Sequence, residues 1–301
     1  MEDLFDAITR LKKERNAVIL AHVYQPEEIQ EIADFCGDSF ALSQQAAQTD
    51  ADVIVFCGVR FMAETANILS PEKITLLPAI DAGCRMFDDT LEARVKAFLS
   101  DHPEYKVVSY VNTPASVKAL SEICCTSSNA VKVIESLPAE HPILFVPDQN
   151  LATFTAEKTH HTILPWRGAC PTHHALSVEE VEAAKKEHPA AKVLMHPECR
   201  PEVRALADYV GSTMGIIHYA EQSPEDEFII ATECGVLTQL EWRCPHKKFY
   251  MAGGNLLCPN MKKTTLELVK RSLETLEPRI VVPEEIRVKA RTALERMLEV
   301  K

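Results

Sequence analysis

Glycine is scarce in this chain, nine among 301 residues. No apolar run approaches the roughly 18 residues that span a bilayer, so no membrane-crossing helix is expected. Basic residues are outnumbered, 32 against 44 acidic, for a net charge of −12. That field repels nucleic acid and anionic membranes at long range, which leaves small molecules as the expected partners. An anionic substrate then needs a pocket lined with local donors. Neither a G-x-G-x-x-G fingerprint nor a Walker A sequence occurs, so nucleotide binding has no support. The C-x2-C knuckles of most structural zinc sites are also missing. The first residues, Met1-Glu-Asp-Leu-Phe-Asp, are acidic and run straight into an amphipathic pattern, unlike a signal peptide. The expected location is the cytoplasm.

What is present is ordinary for a soluble globular protein: 46% hydrophobic and 25% charged residues. At roughly 150 residues per domain, length alone suggests two domains. An internal repeat raises that to three. Ala17 to Ser39 (AVILAHVYQPEEIQEIADFCGDS), Lys106 to Ser127 (KVVSYVNTPASVKALSEICCTS) and Lys192 to Thr213 (KVLMHPECRPEVRALADYVGST) read alike. Each has an apolar run, a turn with proline, a helical pattern and a Gly/Ser/Thr-rich end. His22, Ile32 and Ser39 map to Tyr110, Leu120 and Ser127 at +88, and to His196, Leu206 and Thr213 at +174. A second apolar run follows in each copy, at Val53, Ile143 and Phe228. A cysteine closes each: Cys84, Cys170 and Cys258.

Continuously apolar strands alternating with helical patterns, such as Phe61 to Leu69 and Val178 to Lys186, indicate parallel sheets covered on both faces. The expected fold class is α/β, with three similar αβα sandwich domains related by pseudo-threefold symmetry around a central active site. The expected bounds are residues 1–100, 101–187 and 188–282. A helix from Pro283 to Val300 should pack back on the body through Ile286, Ala290, Ala293, Leu294, Met297 and Leu298.

Ligands of parallel α/β units bind beyond the carboxyl ends of the strands. The turns there carry His22-Val-Tyr24, Tyr110-Val-Asn112 and His196-Pro-Glu198. A lone His or Tyr after a strand is usually structural, but recurrence in three related places favours a shared site. The Gly37-Asp-Ser39, Thr126-Ser-Ser128 and Gly211-Ser-Thr213 ends can cap helices or offer amides and hydroxyls to phosphate or carboxylate oxygens. Gly83, Gly168, Gly253 and Gly254 cluster near the three repeat cysteines, where a tight loop needs close backbone approach or positive φ. In a reducing compartment such cysteines are metal ligands, catalytic groups or buried hydrophobes sooner than disulfides. One from each of three units suits an iron–sulfur cluster with three anchored irons and a fourth left open as a Lewis acid. Cys124 and Cys125 are expected to be buried, and Cys234 with Cys244 would be a redox pair only if the fold brought them together.

In order along the chain stand Ile32-Ala-Asp-Phe-Cys-Gly-Asp-Ser39, Phe61-Met-Ala-Glu64, Tyr110-Val-Asn112, Cys125-Thr-Ser-Ser-Asn-Ala130 and Pro147-Asp-Gln-Asn-Leu151. His196-Pro-Glu-Cys199, Gly211-Ser-Thr213 and Cys258-Pro-Asn-Met-Lys262 follow. With them the sequence resembles the quinolinate synthase family over essentially its whole length. The resemblance implies a 4Fe–4S cluster held by Cys84, Cys170 and Cys258. It also implies condensation of iminoaspartate with dihydroxyacetone phosphate to quinolinate, with release of phosphate and two waters, in NAD biosynthesis. Functional coupling to an iminoaspartate-producing enzyme would suit that role. By similarity the substrate-binding residues would be His22, Ser39, Asn112, Ser127, His173, His196, Ser212 and Thr213. Glu198 and Tyr24 would carry protons, with Tyr110 a third candidate. Val23, Gly83 and His174 stand where the family often has Asn, Thr and Gln; none is a ligand or proton carrier.

Two other readings remain at this point. A radical S-adenosylmethionine enzyme resembling the diphthamide-forming proteins also places one cysteine in each of three domains, though the HPEC and CPxH motifs argue against it. A non-catalytic metal-binding or iron–sulfur sensor module would, in its simplest form, bind zinc through the three cysteines and His173.

Overall fold

The computed structural model describes residues 3–254 and 256–300. Three four-stranded parallel sheets form the frame. The first holds β1 (Ala17–His22), β2 (Phe35–Gly37), β3 (Val53–Cys57) and β4 (Ile74–Leu76). The second holds β5 (Lys106–Tyr110), β6 (Ile123–Cys125), β7 (Ile143–Val146) and β8 (Ile163–Pro165). The third holds β9 (Lys192–Met195), β10 (Tyr209–Val210), β11 (Glu227–Ala231) and β12 (Lys248–Met251). Their orders are the same: β2-β1-β3-β4, β6-β5-β7-β8 and β10-β9-β11-β12. The ladder register repeats the sequence offsets. Ala21 pairs with Cys36, Ser109 with Cys124, and Met195 with Val210, pairs displaced from the first by 88 and by 174 residues.

Strands this short and apolar are stable only with both faces covered, because successive side chains leave on opposite sides. One face of all three sheets enters a single shared core, through Leu20, Ile54 and Phe56, then Ile143 and Phe145, then Phe228 and Ile230. The alternate residues enter three separate cores. Val53 and Val55 meet the helices Leu4–Glu14 and Leu266–Thr275. Leu144 and Val146 meet Leu91 and Val95 of the helix Leu91–Asp101. Ile229 and Ala231 meet Val181 and Ala184 of the helix Val178–Glu187. Each such side chain, once buried, contributes about 1.5–3 kcal/mol.

The helices Leu4–Glu14, Leu91–Asp101 and Val178–Glu187 each precede the first strand of the sheet they cover, about 87 residues from one helix to the next. The helix Leu266–Thr275 is a fourth copy with no sheet after it, and it lies beside the first copy, Leu4–Glu14, on the first sheet. Arg15 fastens the pair by donating to the carbonyls of Leu273 and Glu274 at 3.1 and 2.9 Å. The last helix, Glu284–Glu299, buries Ala290, Ala293, Leu294 and Met297, with Ile286 and Leu298 partly buried, as its periodicity predicted. It packs on the helix Arg60–Leu69 and on β6, so it bridges the first two sheets. No helix among the described residues is long and apolar enough to cross a membrane.

Candidate active site

A cavity of about 210 Å³ opens where the carboxyl ends of the three first strands meet. It is lined by His22, Tyr24 and Ser39 from one sheet, Tyr110, Asn112 and Ser127 from the next, and His196, Glu198 and Thr213 from the third. Cys84, Cys170, His173 and Cys258 complete the wall. Of the residues expected from the sequence, Ser212 alone does not line it. Ser212 and Asp38 occupy equivalent positions and share a task, capping the helices Thr213–Gln222 and Ser39–Gln48. The residue one step on, Thr213 or Ser39, is left to face the cavity.

The two histidine turns are built alike. The Tyr24 amide donates to His22 Nδ1 at 3.1 Å, and the Glu198 amide to His196 Nδ1 at 3.3 Å. Each Nδ1 accepts, so the ring proton sits on Nε2. Burial, with some repulsion from neighbouring cations, drops both rings to about 3, which leaves them neutral hydrogen-bond donors at neutral pH. His196 Nε2 lies 3.3 Å from Ser127 Oγ and stacks on His173 at 4.6 Å.

A chain of contacts ends on Glu198. Its Oε2 lies 2.7 Å from His173 Nδ1. His173 Nε2 is 2.9 Å from Thr232 Oγ1, which is 2.6 Å from the Tyr24 hydroxyl, itself 2.8 Å from Thr213 Oγ1. With the Nδ1 proton directed at the carboxylate, Nε2 accepts from Thr232, Thr232 accepts from Tyr24, and Tyr24 accepts from Thr213. Every proton points toward Glu198. Burial raises the Glu198 carboxyl, but His196 and the hydrogen bond from His173 outweigh it and hold the group below its usual range. A hydrogen bond from Tyr110 adds to theirs. Burial raises Tyr24 and Tyr110 well above 10, so both remain protonated donors. Two buried acceptors aimed at the cavity, Glu198 Oε1 and Asn112 Oδ1, have no partner.

The three cysteines occupy equivalent loops, each after the fourth strand of its sheet. Burial pushes Cys84 up to about 12 and raises Cys170 and Cys258 as well, so a metal must displace their protons to bind. Among the described residues, ligand atoms of Cys170, His173 and Glu198 come within 4.8 Å of one another, a set able to hold a metal ion. The three thiols do not form such a close group. The glycine expectation holds in part. A Cβ at Gly168 would lie 2.4 Å from the Pro147 carbonyl oxygen, so close approach requires glycine there. No described glycine has positive φ, and a Cβ at Gly83 or Gly254 would meet nothing within 4 Å.

Comparison with known proteins agrees with this architecture. The family model described as Quinolinate synthetase A protein matches residues 6–299. The chain belongs to the quinolinate synthetase A family. It is 53% identical over 299 residues to "Quinolinate synthase 1" of Methanosarcina acetivorans, covering 99% of this chain and 98% of that one. It is 52% identical over 294 residues to a quinolinate synthase of Thermodesulfovibrio yellowstonii, 97% of each chain. With that of Trichodesmium erythraeum it shares 47% over 303 residues, 99% of this chain and 94% of the other.

Around this family site stand residues that the sequence reading passed over. Asp148 Oδ2 accepts from the Cys170 amide at 3.0 Å, and Glu233 Oε1 from the Cys258 amide at 3.0 Å. Lys262 lies 2.9 Å from Glu233 and also donates to the Tyr24 carbonyl. Asn150 donates to the Glu198 carbonyl at 2.8 Å and contacts His174 at 3.0 Å, which gives the departure at His174 a structural role. Stacking the repeats one strand further would have exposed the carboxylates, since Asp148 and Glu233 follow β7 and β11 at matching positions. Thr232 carries no signal of its own. Cys124 and Cys125 are buried as expected. Cys234 and Cys244 lie at opposite ends of the helix Val236–Arg243, about 12 Å of helix apart, and cannot pair.

Proposed function

We propose that the chain is a quinolinate synthase that condenses iminoaspartate with dihydroxyacetone phosphate, releasing phosphate and two waters, in NAD biosynthesis. The observation that carries this reading is the meeting of three free thiols from equivalent loops with an ionised, half-unpaired carboxylate in one cavity. The units would be residues 1–100, 101–187 and 188–282. The ten free cysteines suit the reducing cytoplasm, where coupling to an iminoaspartate-producing enzyme would supply the first substrate.

Cys84, Cys170 and Cys258 would hold a 4Fe–4S cluster. Three thiols, one from the loop after each sheet's fourth strand, line one cavity, which suits a group anchored at three irons. When bound, the cluster supplies a Lewis-acidic iron that polarises a substrate hydroxyl or carboxylate. The rest falls to side chains. His22 and His196 donate through Nε2 to substrate carboxylate or phosphate oxygens without adding charge. Ser39, Ser127 and Thr213 offer hydroxyls, and Asn112 turns its free Oδ1 toward a substrate donor. Holding both substrates in register replaces a solution encounter by an intramolecular step. Glu198, ionised and free at Oε1, accepts the proton lost in enamine formation and dehydration. Glu198 then hands that proton to the departing hydroxyl, which leaves as water, while Tyr24, linked to Glu198 through Thr232 and His173, and Tyr110 stand as the further proton donors. Ser212 serves by capping.

One observation favours a second reading, a simple metal-binding module: the close Cys170, His173 and Glu198 set. Glu198→Gln separates the two. In anaerobic protein it should leave the iron and sulfide content intact and abolish quinolinate formation. A fully active variant would reject the role of Glu198, and colourless protein with one zinc per chain would favour the module.

A further inference from the structure

Most arginines of this chain are tied down. Arg15 and Arg204 donate to backbone carbonyls, and others such as Arg10, Arg60, Arg243, Arg291 and Arg296 face carboxylates. Among the described residues the side chains of Arg85, Arg94, Arg167 and Arg271 make no hydrogen bond or ion pair within the protein. Three of these four line one hollow.

That hollow, about 220 Å³, lies beside the reaction cavity. Arg85, Arg94 and Arg167 line it with Trp166, and Asp88 is the one carboxylate on its wall. Asp88 already accepts from the Thr90 amide at 2.9 Å and from its hydroxyl. The local balance is therefore three positive charges against one negative, in a protein of net charge −12. Leaving such cations unpaired in an acidic chain gains nothing for folding, and it preserves a site for an external anion. The Arg94 guanidinium is oriented by stacking 5.1 Å over Trp166, which reduces the freedom lost on binding. Arg85 and Met86 line both hollows, so the two adjoin. Arg85 directly follows Cys84, and Arg167 stands three residues before Cys170. The loops bearing two of the cysteines thus carry this basic rim on their other side.

We propose that the hollow is a docking site for a phosphate dianion, which the guanidinium forks of Arg94 and Arg167 hold and Arg85 passes to the reaction cavity. A phosphate is favoured over a simple carboxylate because it offers three oxygens and up to two charges to three planar forks. Naming its sources as the incoming triose phosphate and the released phosphate rests on the proposed function; the anion site itself does not.

The test uses the full chain without substrates and inorganic phosphate as the probe, followed by calorimetry or phosphorus NMR. Saturable binding is expected, weakened roughly tenfold or more by Arg94→Ala with Arg167→Ala. Arg94→Lys with Arg167→Lys, which keeps charge and loses the fork, should fall between. Arg271→Ala, an unpaired arginine elsewhere, should bind phosphate like the parent. Unchanged binding in the double alanine variant, or an equal loss in Arg271→Ala, overturns the site. In the quinolinate assay the double variant should raise KM for dihydroxyacetone phosphate with kcat within twofold, while weaker product inhibition would identify released phosphate as a second occupant. Should the parent make no quinolinate at all, the proposed function fails and the phosphate-binding result still decides the site.

Discussion

The second and third cysteine loops are held differently from the first. Cys170 and Cys258 each present their amide to a buried carboxylate at the end of a central strand, Asp148 after β7 and Glu233 after β11. Cys84 has no such partner: the position two residues beyond Cys57, matching Asp148 beyond Val146 and Glu233 beyond Ala231, is Val59. The three similar units have the thiol in common and differ in what holds its loop. A threefold arrangement of ligands does not need a threefold arrangement of supports, and the loop without a buried carboxylate, held instead at the Gly83 carbonyl by Asn260, is the one whose neighbour, Arg85, faces both hollows.

The sharpest way to break this comparison is to remove the carboxylates. Glu233→Ala strips a fully buried acid from Lys262 and leaves the Cys258 and Gly235 amides without their acceptor. A loss of about 3–5 kcal/mol is expected, read from denaturant unfolding of cluster-free protein. Asp148→Ala frees the Leu151 and Cys170 amides and removes a helix cap, for about 2–4 kcal/mol. Val59→Ala, at the matching place in the first unit, removes only apolar packing and should cost less than either. Equal losses at all three positions would erase the difference between the loops.

A gentler contrast lies in the first turns, where units one and three carry histidine and unit two carries Tyr110. The folded values near 3 for His22 and His196 lie below the ordinary 6.5. Between those values the unfolded chain binds protons that the folded chain refuses, so stability falls as pH drops from about 6.5 toward 3. The slope is about 1.4 kcal/mol per pH unit for each ring. Unfolding measured at pH 6.5 and 5 should show it. His22→Gln should remove one ring's share, and Tyr110→Phe should leave the slope unchanged.

The smallest effect expected is at Thr232→Val, which interrupts the contacts between Tyr24 and His173. Quinolinate formation should slow by roughly tenfold, in kcat and not KM, if Tyr24 acts through that hydroxyl. An unchanged kcat would leave Tyr24 with no route to Glu198.

How much of this was legible beforehand follows from the kind of signal each feature leaves. Strands and helices write their period into the sequence, so the three sheets and the face of the last helix could be read directly. Repetition marked the turns and the cysteines, because His22, Tyr110 and His196 recur at fixed offsets. The fourth copy of the covering helix, Leu266–Thr275, was missed because it has no sheet after it to complete the repeat. Asp148 and Glu233 were missed for a different reason: two copies of three carry them, so the repeat is broken there. Thr232 is a common residue whose value comes wholly from what the fold places beside it. The three arginines behind the cysteine loops are spread over 83 residues, and only the tertiary structure brings them together.

The most direct test is an anaerobic count of iron and sulfide in the parent and in four single serine variants, at Cys84, Cys170, Cys258 and Cys57. Four irons and four sulfides per chain are expected in the parent and in Cys57→Ser, with the cluster lost from each of the other three, the Cys84 loop without a buried carboxylate included. A full complement of iron in Cys84→Ser, or a cluster that Cys57→Ser abolishes, would contradict a shared centre built from one thiol of each unit.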